Sequence, residues 1–144
     1  MAETQNFQNH VRYNTLVHFV ITPILFINLI WQIVRLSQEF TWDRAENLLL
    51  AVGLMLLSLA ARSQVLTVQN RVIRLEESVR YHKLLPPDLA FQAEQLPTGN
   101  KIALRFASDE ELPDLVRRII GGEFQNSKEI KLAIKNWRGD YLRA

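Results

Sequence analysis

The residues best placed for chemistry are polar side chains inside an uncharged stretch near the N-terminus. Four of them lie within residues 13–34, which contain no Asp, Glu, Lys or Arg: His18, Thr22, Asn28 and Gln32. Polar groups are costly inside a membrane and often functional there. His18 is a candidate ligand of a tetrapyrrole, either haem or chlorophyll. Alternatively, it simply reaches water at the headgroups, because Arg12 lies within about two helical turns. Asn28 and Gln32, four residues apart, suit hydrogen bonds between helices.

The remainder of the sequence has few residue groupings typical of catalysis. It contains no glycine-rich phosphate loop, no dinucleotide fingerprint, no HExxH zinc motif and no GxSxG nucleophile elbow. The three histidines, at positions 10, 18 and 82, are far apart. An acidic cluster at 109–114 is explained by its place at a predicted helix start. We therefore expect no catalytic residue, no metal site and no cofactor apart from the tetrapyrrole alternative.

Composition limits what these residues can belong to. The chain has 144 residues, a formal net charge of +2, 48% hydrophobic residues and no cysteine. This length excludes a large multi-domain enzyme, and the absence of cysteine excludes disulfides, thiolate metal sites and a cysteine nucleophile. The apolar content is too high for a wholly disordered chain.

Two uncharged segments predict a membrane anchor. Residues 13–34 would span about 30 Å as a helix, which matches the hydrocarbon core of a bilayer. Pro23, near the middle of this segment, predicts a kink. The second uncharged segment, 48–61, is short but reaches spanning length when it begins near residue 43. We expect a transmembrane hairpin over 13–61 with spans at about 13–34 and 43–61, and the alternative is a buried helical hairpin in a soluble protein.

Basic residues near the spans predict the orientation of this hairpin. The connecting loop holds two arginines, whereas the outer flanks hold more basic groups: Arg12, Arg62, Arg71, Arg74, Arg80 and the N-terminal amine. Positive charge favours the cytoplasmic side. We therefore expect residues 1–12, a helical extension at 62–83 and a small domain at 84–144 all to be cytoplasmic, at a bacterial inner membrane.

A heptad pattern follows the second span. Val65, Val68, Val72, Leu75 and Val79, here called the valine seam, recur at alternating intervals of three and four residues. In a parallel dimer, Arg71 at a g position would attract Glu76 at an e position. The pattern predicts one long helix that pairs with a second copy. Alternatively, this helix lies on the C-terminal domain, because Leu66 and Ile73 widen its apolar face.

The C-terminal segment predicts a mostly helical domain with at most one short strand. Pro86 and Pro87 should end the long helix, and a short helix should follow over 88–95. After a turn at 97–100, alternating apolar residues over 101–107 predict a half-buried strand that needs a pairing partner. Capping boxes at 108–111 and 126–129 predict two further helices, the first of which ends at Gly121 and Gly122.

The last predicted helix carries apolar residues on one face, as far as Trp137 and Tyr141. Four basic residues lie on another face: Lys128, Lys131, Lys135 and Arg138. This basic face could be solvated, rest on anionic lipid, or contact nucleic acid. Residues 84–144 are neutral overall, which disfavours nucleic acid as a partner.

Three stretches carry a resemblance to a known family. They are the opening MAETQNFQNHVRY, the span around HFVITPILFINLIW and the ending SKEIKLAIKNWRGDYLR. Together they resemble a bacterial family of small two-span membrane proteins of unknown function, and this resemblance implies a membrane location but no activity.

We expect an all-α membrane protein that acts as a non-catalytic accessory or scaffold subunit and binds lipid and protein partners. It would be a homo-oligomer or part of a larger complex. The alternatives are a tetrapyrrole-binding subunit of an electron-transfer or pigment complex and a membrane-tethered binder of nucleic acid or anionic lipid.

Overall fold

This computed structural model describes residues 6–9 and 14–140, and the regular secondary structure in these ranges is helical. A π-helical turn at Val17–Ile21 precedes the α-helices, and no strand occurs in the described ranges. The α-helices are α1 (Thr22–Gln38), α2 (Trp42–Leu84), α3 (Pro87–Glu94), α4 (Thr98–Leu104), α5 (Leu112–Ile120) and α6 (Ser127–Ala133).

Contacts divide the described chain into two compact units. The first unit holds residues 14–66, and the second unit holds residues 6–9 together with 67–140. Helix α2 contributes residues to both units. It is a single helix of 43 residues, in agreement with the long helix predicted from the heptad pattern, and it ends at Leu84, two residues before Pro86.

Two helical segments are long and apolar enough to cross a membrane, which weakly indicates a membrane location. They are Val17–Gln38 and Trp42–Leu84. In the most apolar 18-residue window of each segment, the share of residues buried inside the protein is 0% for the first segment and 6% for the second. A core helix of a soluble protein would instead be mostly buried.

The first apolar helix is irregular just before Pro23. Proline lacks an N–H group and cannot donate to the carbonyl four residues earlier. The turn at Val17–Ile21 has π geometry, and both the main-chain N–H and the hydroxyl of Thr22 donate to the carbonyl of Val17, the hydroxyl at 2.8 Å. The helix therefore adapts to the proline by widening one turn.

The second unit has a continuous hydrophobic core. The end of α2 contributes Tyr81, Leu85 follows this helix directly, and α3, α4 and α5 add small and branched residues. The ring of Phe106 is fully buried and lies 5.0 Å from the ring of Trp137 between centroids. This core fixes the positions of the polar groups described below.

The strand predicted over 101–107 is wrong. Residues Thr98–Leu104 form α4, which begins directly after Pro97, so the turn expected at 97–100 is also wrong. The main-chain N–H and C=O groups of this segment form hydrogen bonds with residues a few positions away. For example, the N–H of Arg105 donates to the carbonyl of Lys101 at 3.2 Å. A lone strand would have left these groups unpaired. Ala107 alone makes an isolated antiparallel bridge, to Trp137.

The last helix is shorter than predicted. Helix α6 ends at Ala133, so Trp137 lies outside it, and Tyr141 lies outside the described residues. The carboxylate of Glu111 accepts hydrogen bonds from the main-chain N–H groups of Lys135 and Asn136 at 3.2 and 3.1 Å. These bonds, with the bridge at Trp137, compete successfully with helix continuation.

Two other helix boundaries agree with the sequence. Helix α5 ends at the predicted glycine pair, where Gly122 has a φ of 77°, a left-handed conformation that favours glycine. Helix α6 begins at the predicted cap, Asn126, whose side chain accepts from the N–H groups of Lys128 and Glu129.

Candidate functional site

The outward face of α2 presents the valine seam to solvent. Its five residues are between 46% and 68% exposed. Monomeric soluble surfaces tolerate scattered apolar residues, but a contiguous stripe along one helix is typical of an interaction surface.

The opposite face of α2 is committed to the core of the second unit. Ile73, Glu77 and Tyr81 are buried at intervals of four residues. Leu75 lies two residues from both Ile73 and Glu77, and Val79 lies two residues from both Glu77 and Tyr81. At about 100° per residue, both side chains therefore lie about 200° around the helix from the buried face. The valine seam therefore points away from the core. The seam is not buried against the second unit, although Leu75 borders the cleft described below.

A buried arginine organises the polar groups of the second unit. Arg80 is 8% exposed, and its Nη1 atom lies 3.3 Å from Oε2 of Glu77, which is also buried. Its Nη2 atom donates to the carbonyl of Ala107 at 2.7 Å and lies 2.7 Å from Oδ1 of Asp109. Burial raises the pKa of Glu77, and the neighbouring Arg80 offsets only part of this increase. The arrangement ties α2 to the segment before α5.

Beside this core lies a cleft of about 450 Å³ within the second unit. It is lined by side chains of α2, α4 and the end of α3: Arg71, Arg74, Leu75, Ser78, Glu94, Gln95 and Lys101. Three of these residues are cationic and one is anionic. We call this feature the cationic cleft.

The carboxylate of the cationic cleft already has partners. The Ser78 hydroxyl donates to Oε1 of Glu94, and Nε2 of His82 lies 3.1 Å from the same oxygen. The hydrogen bond from Ser78 lowers the pKa of Glu94, and His82 adds to this effect. Lys101 is only 8% exposed and donates from Nζ to the main-chain carbonyl of Glu94. Burial, together with the nearby charge of Arg74, lowers the pKa of Lys101.

The polar residues predicted inside the first span interact within their own helix. The Nδ1 atom of His18 donates to the carbonyl of Asn14 at 2.9 Å. The Nε2 amide of Gln32 donates to Oδ1 of Asn28 at 3.3 Å. Among the described residues, no group of three or more His, Cys, Asp or Glu side chains could hold a metal ion. Tetrapyrrole binding at His18 stays a prediction.

The four basic residues predicted on the last helix do not all lie in one helix. Lys128 and Lys131 lie in α6, whereas Lys135 and Arg138 follow its end. The Nζ atom of Lys131 lies 5.6 Å from the centroid of the buried Phe106 ring and helps to cover it. The expected basic stripe along one helix is therefore wrong.

Sequence reasoning missed the cationic cleft. Arg71, Arg74 and Ser78 recur at intervals of three and four on α2, and this spacing was a usable signal. Lys101 was assigned to a strand, and only the packing of α4 brings its amine to α2.

Comparison with known proteins gives a family without an assigned activity. The model of a family of unknown function, DUF6526, matches residues 1–144. No curated protein and no solved structure matches the chain. Because the match covers all of the sequence, the chain belongs to the DUF6526 family of unknown function.

Proposed function

We propose that the protein is a non-catalytic membrane subunit that associates with a second copy of itself through the valine seam. The observation that carries this proposal is the exposure of the seam on the side of α2 opposite the core. Ile73 and Tyr81 are buried on the inner face, whereas Val72 and Val79 are about half exposed on the outer face.

Spacing and charge favour a second copy as the occupant of the seam. Alternating intervals of three and four residues allow two such helices to interlock side chains along their length. Arg71 and Glu76, which flank the seam, would attract each other across a parallel pair. Among the described residues, Arg71 forms no ion pair within its own chain. It is therefore available for the partner.

A membrane hairpin formed by α1 and the first part of α2 is the anchor in this proposal. The near-complete exposure of both apolar windows supports lipid as their surroundings. At the connection, Nη1 of Arg44 donates to the carbonyl of Arg35 at 3.0 Å, and Nη2 pairs with Glu39 at 2.8 Å. The bias of basic residues toward the outer flanks supports cytoplasmic termini at a bacterial inner membrane.

The oligomer test compares charge insertion inside and outside the seam. Val72→Glu and Val79→Glu should each halve the protein mass measured by light scattering in mild detergent, because a buried carboxylate opposes pairing. Leu132→Glu is the matched control, since Leu132 is 58% exposed on α6 and lies outside the seam. If the wild-type mass is that of one chain, or if both seam variants keep the wild-type mass, the proposal is wrong.

A further inference from the structure

The cationic cleft concentrates positive charge that the described chain does not neutralise. Arg71, Arg74 and Lys101 contribute three positive charges, and Glu94 contributes one negative charge. Among the described residues, neither arginine side chain makes a hydrogen bond or an ion pair. The lining residues of a single chain therefore carry a net charge of about +2 at neutral pH. In the proposed dimer Arg71 also faces Glu76 of the second copy, so Arg74 and Lys101 are the cations that carry the case for an anion.

Lys101 is the most informative of the three cations. Lysine is almost never this buried without a charged partner, yet its amine contacts only a main-chain carbonyl oxygen among the described groups. Glu94 attracts Lys101 and offsets its charge only in part, since Ser78 and His82 also contact its Oε1 atom. Arg71 and Arg74 have no carboxylate partner among the described residues. An anion in the cleft would supply the missing countercharge.

We propose that the cationic cleft binds a ligand bearing a phosphate monoester. Such a group carries a charge between −1.5 and −2 at pH 7, which matches the net charge of the lining. Guanidinium groups bind phosphate through paired N–H donors, and lysine adds a compact charge. A volume of about 450 Å³ also leaves room for the organic part of the ligand, since small-molecule pockets begin at about 300 Å³.

Two sources can present this chemistry, and they require separate probes. A soluble metabolite is represented by glycerol 3-phosphate, and a lipid headgroup is represented by short-chain dihexanoyl phosphatidic acid. Both are titrated calorimetrically into the full-length protein in mild detergent, with ionic strength held constant by potassium chloride. Dihexanoyl phosphatidylcholine, which lacks the monoester, is the control ligand.

Variants link any binding to the cleft. Arg74→Gln and Lys101→Gln should each weaken binding at least about tenfold, because each removes a charge-assisted contact. Arg117→Gln is the matched control: it removes one exposed arginine of α5 that does not line the cleft. Arg74 is exposed, so its variant remains a fair test even if Lys101→Gln disturbs folding.

Each outcome of these titrations either supports or overturns the proposed phosphate site. Saturable binding of glycerol 3-phosphate that Arg74→Gln weakens supports the proposal with a soluble ligand. The same result with phosphatidic acid alone supports it with a lipid ligand. The proposal is overturned if neither probe binds saturably, if phosphatidylcholine binds equally well, or if Arg74→Gln has no larger effect than Arg117→Gln.

Discussion

Arg80 and Asp109 form an ion pair in which the arginine is buried and the aspartate is largely exposed, with 2.7 Å between Nη2 and Oδ1. The same guanidinium donates to the carbonyls of Leu104 and Ala107 and contacts Glu77. One side chain of α2 thus binds main-chain carbonyls at the end of α4 and just after it.

Replacing Arg80 with methionine should strongly destabilise the second unit. Methionine keeps most of the side-chain volume but leaves the buried Glu77 carboxylate and the Ala107 carbonyl without their donor. We expect the free energy of unfolding to fall by about 3–5 kcal/mol, the usual cost of breaking a buried pair. Denaturant unfolding followed by Trp137 fluorescence, in a Trp31→Phe and Trp42→Phe background, measures this change.

Arg117→Met is the control for that experiment. Arg117 is exposed on α5, and its substitution should change the free energy of unfolding by no more than about 0.5 kcal/mol. Equal effects of the two substitutions would contradict the role assigned to Arg80.

Stability should depend on pH through Glu77. Burial raises the pKa of this carboxyl in the folded protein above the ordinary value of 4.5 that it has in the unfolded chain. The folded state therefore binds the proton more tightly. The stabilisation from protonated Glu77 is fully present below the unfolded pKa and is lost as pH rises through the folded pKa.

Comparison with Glu77→Gln isolates this contribution. The stability of the wild type relative to Glu77→Gln should fall as pH rises from about 4 toward neutrality. Groups common to both proteins, including Glu94 with its lowered pKa, cancel in the difference. A difference in unfolding free energy that stays flat over this range would show that Glu77 does not titrate there.

Asn126→Ala should weaken the start of α6. The Oδ1 atom of Asn126 accepts from the main-chain N–H groups of Lys128 and Glu129 at 3.0 and 3.1 Å. Loss of such a cap costs about 1 kcal/mol, measured by the same unfolding experiment. Asn126→Ser retains an acceptor oxygen and adds no charge beside Glu129, whose Oε1 accepts from the Asn126 amide at 2.8 Å. It should lose much less, so equal losses would argue against capping.

Reversing one charge beside the valine seam should weaken self-association, and exchanging both should restore it. Glu76→Arg alone places like charges together in a parallel dimer, whereas Arg71→Glu with Glu76→Arg recreates attraction. Each of the two symmetric charge pairs contributes about 0.5 kcal/mol to the free energy of association. Losing both in the single variant should raise the dissociation constant roughly fivefold. Sedimentation equilibrium in detergent measures it, and failure of the exchange to rescue would exclude this register.

The absence of cysteine allows a direct test of membrane orientation. Gln38→Cys lies at the end of α1, and Lys128→Cys lies on α6, with both positions exposed. An impermeant maleimide applied to intact spheroplasts should label the first variant, while the second should react only after lysis. Labelling of both variants before lysis would contradict cytoplasmic termini.

Local sequence signals predicted the helices but not the polar interior of the second unit. The apolar runs, the proline pair after Leu84 and the cap at Asn126 act within a few residues, so their consequences could be read directly. By contrast, the alternation over 101–107 mimicked a strand. Nearly every residue there is buried, because the segment lies inside the small domain rather than across its surface.

The two candidate sites also differ in whether local sequence signals predict them. The valine seam was predicted because its spacing lies on one helix, and its exposure is as expected for an unpaired face. The cationic cleft was not predicted, because Arg74 and Lys101 are brought together only when α4 packs beside α2. The contacts of Arg80 likewise join groups that are 24 to 29 positions apart in sequence.

The π turn at Val17–Ile21 holds one more residue than an α turn between bonded groups, since its hydrogen bonds reach five positions instead of four. That extra residue rotates residues 14–16 by about 100° about the helix axis relative to a uniform helix. A helical wheel drawn through Asn28 and Gln32 therefore does not extend unchanged to residues 14–16. The turn is also the point at which a one-residue deletion would be absorbed, since it converts a wide turn into a regular one.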